Sequence, residues 1–150
     1  MQTTNYIYSK TNSILFTALL GGLIIFSVPH LINFIYNGNS LNWSLLLIFD
    51  LFILLMLLYI IIKALIPAIQ NKVVLELNQT SIISYAKDIN IEWKNIEKIQ
   101  LKSGRSSSAL YIIFKYETER GSYIRIPLGF VQGNDEEIYN NALDYLKNSL

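Results

Sequence analysis

Most enzyme chemistry draws on histidine, cysteine and carboxylates, and this chain is poorly supplied with the first two. It has no cysteine and a single histidine, His30. Thiol catalysis, disulfides and cysteine-ligated metals are therefore excluded. A histidine-based metal site or triad would have to use His30, which lies in an apolar run. The carboxylates gather as Asp88/Glu92, Glu117/Glu119 and Asp135/Glu136/Glu137. Each cluster has a plain place: a polar strand face, a hairpin turn and a helix start. No His or Cys accompanies them, so no metal site or general acid–base pair is expected. Ser106-Ser107-Ser108 has no histidine to activate it, and Gly104 belongs to no phosphate-binding glycine pattern. The sequence predicts no catalytic residue, no cofactor and no metal ligand: a non-enzyme.

One polar pair stands apart. Asp50 lies inside an apolar run, seven residues past Trp43. The turn between the two apolar runs is centred near residue 39 or 40, so His30 and Asp50 fall about ten residues either side, at similar depth in an antiparallel hairpin. A carboxylate there costs about 2.5–3.5 kcal/mol on insertion scales and usually finds a partner. The expectation is a His30–Asp50 contact that fixes hairpin register. A proton- or ion-linked role, or a contact with a partner's helix, is the alternative. Gly21-Gly22, in the first run, would let helices approach closely, within the hairpin or, alternatively, in a homodimer.

The composition shows what must position these residues. Of 150 residues, 52% are hydrophobic and 15% charged, against roughly 25% charged in soluble domains. Between Lys10 and Lys72 the only charges are Asp50 and Lys63, whereas residues 71–150 hold 10 basic and 10 acidic residues. An apolar half is joined to an ordinary polar half, which excludes a single soluble globule and a disordered chain. Net charge is +1 with no basic block, so no nucleic-acid partner is expected.

The apolar runs are 13–36 and 43–66. Each is long enough to cross a hydrocarbon core of about 30 Å. The first is too long for a signal-peptide core and lacks a small-residue cleavage pattern. The connector Asn37–Asn42 is short, polar and uncharged, whereas Lys10, Lys63 and Lys72 lie at the opposite end. The positive-inside rule then puts both termini in the cytoplasm, in a multi-pass arrangement. Tyr36 and Trp43 suit an interface, and Pro67 is expected to stop the second helix.

From Lys72 the hydrophobic period becomes alternating. Six short strands are predicted: 73–77, 81–85, 89–93, 96–101, 110–116 and 123–128. An amphipathic helix follows from Asn134, with Asp135 and Glu136 in its first turn and Ile138, Ala142, Tyr145 or Leu146 and Leu150 on its apolar face. Trp93, Ile96, Ile99, Leu110, Ile112 and Phe114 are the expected core. The expected organisation is a cytoplasmic tail at 1–12, a two-helix hairpin at 13–66, a linker at 67–71 and an α+β domain at 72–150.

A strand meander closed by a C-terminal helix resembles the pleckstrin-homology-like (PH-like) fold. The stretch from Ile89 through Trp93, Ile96 and Ile99 is similar to the I-x-W-x-x-I-x-x-I segment of small bacterial membrane proteins, in which two helices precede a cytoplasmic PH-like domain. That resemblance implies a bent meander of seven strands, one more than the pattern supplies: either a seventh is hidden near Gly129-Phe130-Val131 or the domain is trimmed to six. It implies a location in the bacterial inner membrane; the abundance of Asn, Ile, Lys and Tyr also points to a bacterium. It implies lipid headgroup binding only if the loop joining the first two strands is basic. Read as Asn78-Gln79-Thr80, that loop is uncharged, which speaks against specific phosphoinositide binding. The expected role is a membrane-anchored protein-interaction module. The alternative is an immunity or accessory protein of a bacterial toxin or secretion system, binding a cognate partner in or at the membrane.

Overall fold

An apolar sequence with no polar stripe has no face to offer water, and the helices it forms here stay apolar outward. In the computed structural model, residues 3–37, 43–104, 107–118 and 121–149 are described. Helix α1 spans Lys10–Asn37 and α2 spans Trp43–Ile60. Lys10–Asn33 within α1, and Leu47–Ile69, which begins in α2 and runs beyond it, are each long and apolar enough to cross a membrane. Ile25, Phe26, Leu45 and Leu51 are all exposed, while Ser27 and Ile53 are buried. The connector 38–42 and the Trp43 side chain lie outside the described residues.

Helix α1 begins at Lys10, earlier than the expected residue 13. The second run does not stop at Pro67. It continues through a π-helical turn, Ile61–Leu65, into α3, Ile66–Ile69, where Pro67 sits in the first turn. Proline has no amide to offer the Lys63 carbonyl, and its ring crowds that carbonyl. The wider turn just before it, with the Ile66 N–H donating to the Ile61 carbonyl, accommodates both. Residues Lys10–Gln70 form one unit.

The second unit is Met1–Ser9 together with Asn71–Leu150. Among the described residues it has seven strands: β1 Thr4–Ile7, β2 Val73–Leu77, β3 Ser81–Ser84, β4 Ile89–Glu92, β5 Ile96–Ser103, β6 Ser108–Thr118 and β7 Gly121–Pro127. They form two antiparallel sheets, β1-β2-β3-β4 and β5-β6-β7. Helix α4, Asp135–Asn148, follows.

The seventh strand is therefore not at 129–131. It is Thr4–Ile7, paired with β2 through Thr4↔Leu77 and Tyr6↔Leu75. The expected tail at 1–12 is part strand and part helix, and the β domain is not confined to 72–150. Four residues with one buried side chain carry too little alternation to read as a strand. Val131 makes only a single bridge, to Tyr8, beside hydrogen bonds from Ser9 N to the Phe130 carbonyl (2.8 Å) and from Gln132 N to the Ile7 carbonyl (2.9 Å). The whole helical unit is thus inserted between two adjacent strands. Tyr8 N donates to the Lys72 carbonyl at 3.2 Å, so the chain leaves and rejoins the domain side by side. The loop at 78–80 joins β2 to β3, not the first strand to the second, and its lack of charge no longer bears on headgroup binding.

Local chemistry explains the turns. Asn78 Oδ1 accepts from Thr80 N (3.0 Å) and Ser81 N (2.8 Å), building the β2–β3 turn. Asp88 takes a left-handed conformation, φ 52°, which Asp tolerates, and closes the β3–β4 turn. Asn134 caps α4 by accepting from Glu136 N at 2.9 Å. Leu75, Leu77, Ile82, Ile126 and Ile138 are fully buried in the core.

Candidate functional site

The expected intramembrane clamp is not formed. His30 is exposed, and its ring packs on Phe26 of its own helix at 5.9 Å between centroids. Both Asp50 carboxylate oxygens are buried without a hydrogen-bond partner. Equal depth in a hairpin says nothing about which way a side chain points around its helix. Asp50 lies one turn before the buried Ile53, on the same face of α2, whereas His30 points away from the helix pair. The hydroxyl of Ser27, buried on α1, is spent on the Ile24 carbonyl at 2.7 Å. Gly21 and Gly22 do not mediate close packing within the chain either: a Cβ added at either position would meet nothing within 4 Å.

The carboxylate clusters stay dispersed. Glu92 pairs with Lys94 at 2.6 Å on the surface. Asp135, Glu136 and Glu137 occupy the first turn of α4, where acids offset the helix dipole. Among the described residues no three His, Cys, Asp or Glu side chains could hold a metal. Glu119, Arg105 and Ser106 lie outside the described residues.

Trp93 is 1% exposed, in a short 3₁₀ turn after β4. Its Nε1 donates to the Asn78 carbonyl at 2.8 Å, and its ring stacks on Tyr145 of α4 at 5.9 Å. Ile96, Ile99, Leu110, Ile112 and Phe114 are buried with it. From Tyr145 a polar seam runs to β1. The hydroxyls of Thr4 and Tyr145 share a 3.0 Å hydrogen bond, and Asn141 Nδ2 donates to the Tyr6 hydroxyl at 2.7 Å. Burial raises the Tyr6 phenol above its ordinary value; the Asn141 hydrogen bond opposes that shift, and the nearby Glu137 and Tyr145 add to it. The seam fastens the strand before the helical unit to the last helix of the chain.

The outer face of the three-stranded sheet carries a second constellation, which the overall charge balance concealed. Strand alternation puts Lys98 and Lys102 of β5, Tyr111 and Lys115 of β6, and Tyr123 and Arg125 of β7 on the face opposite the buried Ile99, Leu110, Ile112 and Ile126. Lys102 Nζ sits 4.5 Å from the Tyr111 ring centre, and Tyr111 stacks on Tyr123 at 5.8 Å. An open concavity of 480 Å³ lies here, floored in part by Gln100 and Ile113. Lys98 and Lys102, four residues apart within β5 and so on one face, were the legible signal, but only pairing brings the three strands' charges together.

Comparison with known proteins leaves these features to speak for themselves: no protein-family profile, no curated protein and no solved structure matches the chain.

Proposed function

We propose that this chain is a non-enzymatic integral membrane protein that displays a PH-like domain at the cytoplasmic face of a bacterial inner membrane as a protein-interaction module. The observation that carries the reading is the β1–β2 ladder. One sheet contains residues from before and after the two apolar helices, so both ends of the helical unit belong on one side of any membrane it crosses. A four-stranded and a three-stranded antiparallel sheet with a C-terminal helix supports the PH-like assignment. Lys10, Lys63 and Lys72 support the cytoplasmic side. The alternative, an immunity or accessory protein with a partner inside the membrane, draws on the unpartnered Asp50 carboxylate, since intramembrane carboxylates usually find a partner.

The native chain has no cysteine, so single-cysteine labelling is clean. In intact cells an impermeant thiol reagent should label Asn39→Cys and spare Ser106→Cys; the reverse pattern inverts the topology. Purification in mild detergent should retain a partner in fixed ratio, identified by mass spectrometry. Recovery of the chain alone under crosslinking conditions counts against the module.

A further inference from the structure

We infer that the outer face of the β5–β7 sheet is the docking surface of the proposed interaction module, and that its partner presents an extended acidic polypeptide segment. The inference rests on the module reading and names the chemistry that reading leaves open.

Charge carries the argument. Lys98, Lys102, Lys115 and Arg125 are exposed on one face, and among the described residues none is ion-paired. The nearest acids along these strands, Glu97 and Glu117, sit at the register shifts that end the regular pairing. The whole chain has a net charge of only +1, so four cations against the two acids Glu97 and Glu117 on these strands are a local excess of positive charge. Opposite charge across an interface supplies both approach rate and specificity.

The geometry selects the form of the anion. Lys98 and Lys102 are four residues apart on one strand, or about 13 Å. In an extended peptide, alternate side chains share a face and repeat about every 7 Å. Acids at alternate positions would therefore meet cations along the sheet, with the concavity around Tyr111 and Tyr123 taking a side chain between them.

The aromatic arrangement disfavours single-stranded nucleic acid. Such ligands stack bases on free ring faces. Tyr111 is flanked by Lys102 from β5 on one side and Tyr123 from β7 on the other, so its ring faces are already engaged. What the face offers is ammonium, guanidinium and phenol donors, which suit carboxylates.

The test uses the full chain in a nonionic detergent and a fluorescently labelled peptide of Glu-Ser repeats, followed by anisotropy. Saturable binding that weakens with added salt is expected. The double variant Lys102→Glu/Arg125→Glu should weaken it by at least about tenfold with an unchanged circular dichroism spectrum. Lys87→Glu/Lys147→Glu, with the same change in net charge elsewhere, should leave it unaltered. Absence of binding, equal binding by the two double variants, or tighter binding of oligouridine or phosphatidylserine vesicles than of the peptide would overturn the assignment. If the Lys102→Glu/Arg125→Glu chain still retains a partner captured in detergent, the face is wrong while the module reading stands. If no chain retains a partner, the module reading itself falls.

Discussion

One buried carboxylate in the helical unit contrasts with the long-range polar contacts of the β domain. In the helical unit Asp50 is covered yet unpartnered, and the nearest expected partner, His30, faces elsewhere. In the β domain Thr4, Tyr6, Trp93, Asn141 and Tyr145 are joined by hydrogen bonds and ring stacking, two of the bonds spanning more than 130 positions of sequence. An unmet buried carboxylate is a cost, whereas a satisfied polar seam fixes a unique arrangement. The helix pair is therefore held by apolar packing and a buried hydrogen bond from the Ser13 hydroxyl to the Ala64 carbonyl at 3.5 Å. The domain is held by packing plus a polar clasp between its two chain ends.

The clasp makes the largest prediction. A fragment of residues 71–150 lacks β1, and with it the strand that covers β2 and the partners of Asn141 and Tyr145. It should fail to show a cooperative unfolding transition. A chimaera joining Met1–Ser9 to Asn71 through a short Gly-Ser linker should regain one, because Tyr8 and Lys72 are already in hydrogen-bond contact. Cooperative melting of the fragment alone would show that the clasp is dispensable.

Next comes Trp93. It is buried, hydrogen-bonded to the Asn78 carbonyl and stacked on Tyr145. Trp93→Ala in that chimaera should cost about 3–5 kcal/mol in chemical denaturation. A loss below about 1 kcal/mol would place Trp93 outside the cooperative core.

On the helical side the sign reverses. Had Asp50 been clamped to His30, Asp50→Leu would loosen the hairpin. With no partner present, Asp50→Leu should instead stabilise insertion by about 3 kcal/mol, read as resistance of the full chain to unfolding in detergent. Destabilisation by Leu with rescue by Asn would reveal a hydrogen bond that the free chain lacks, supplied by another molecule.

The same contrast explains what was legible in the sequence. Long apolar runs and the strands of the polar half declare themselves by periodicity. Leu110, Ile112 and Phe114 follow from alternation along their strand and Trp93 continues the alternation of Ile89 and Ile91, whereas Ile96 and Ile99 share a face only through the register shift at Glu97. Thr4–Ile7 does not, because its strand character depends on a partner on the far side of the helical unit. The orientation of His30 and Asp50 was equally hidden, since helix depth is additive along the chain whereas rotation about the axis depends on how two helices pack. The basic face of β5–β7 was masked by an even count of charges, which records composition and not placement.

The smallest effect sharpens the clasp through pH. The Tyr6 phenol is raised chiefly by burial, so the folded domain holds its proton more tightly than the unfolded chain does. Between the ordinary tyrosine value of about 10 and the higher folded value, the folded state binds more protons than the unfolded one, and stability falls as pH rises. The contribution is complete below about pH 10 and is lost as pH passes through the folded value. Tyr85 is also raised, through the hydrogen bond its exposed hydroxyl donates to Glu76 Oε2 at 2.8 Å, so it titrates in the same range. Tyr6→Phe should cost about 1 kcal/mol at neutral pH, because Asn141 loses its acceptor, and should flatten the alkaline decline in denaturation midpoint. Tyr85→Phe, at the surface, should leave most of that decline in place. If the two variants were to flatten it equally, the seam between β1 and α4 would not be what alkali undoes.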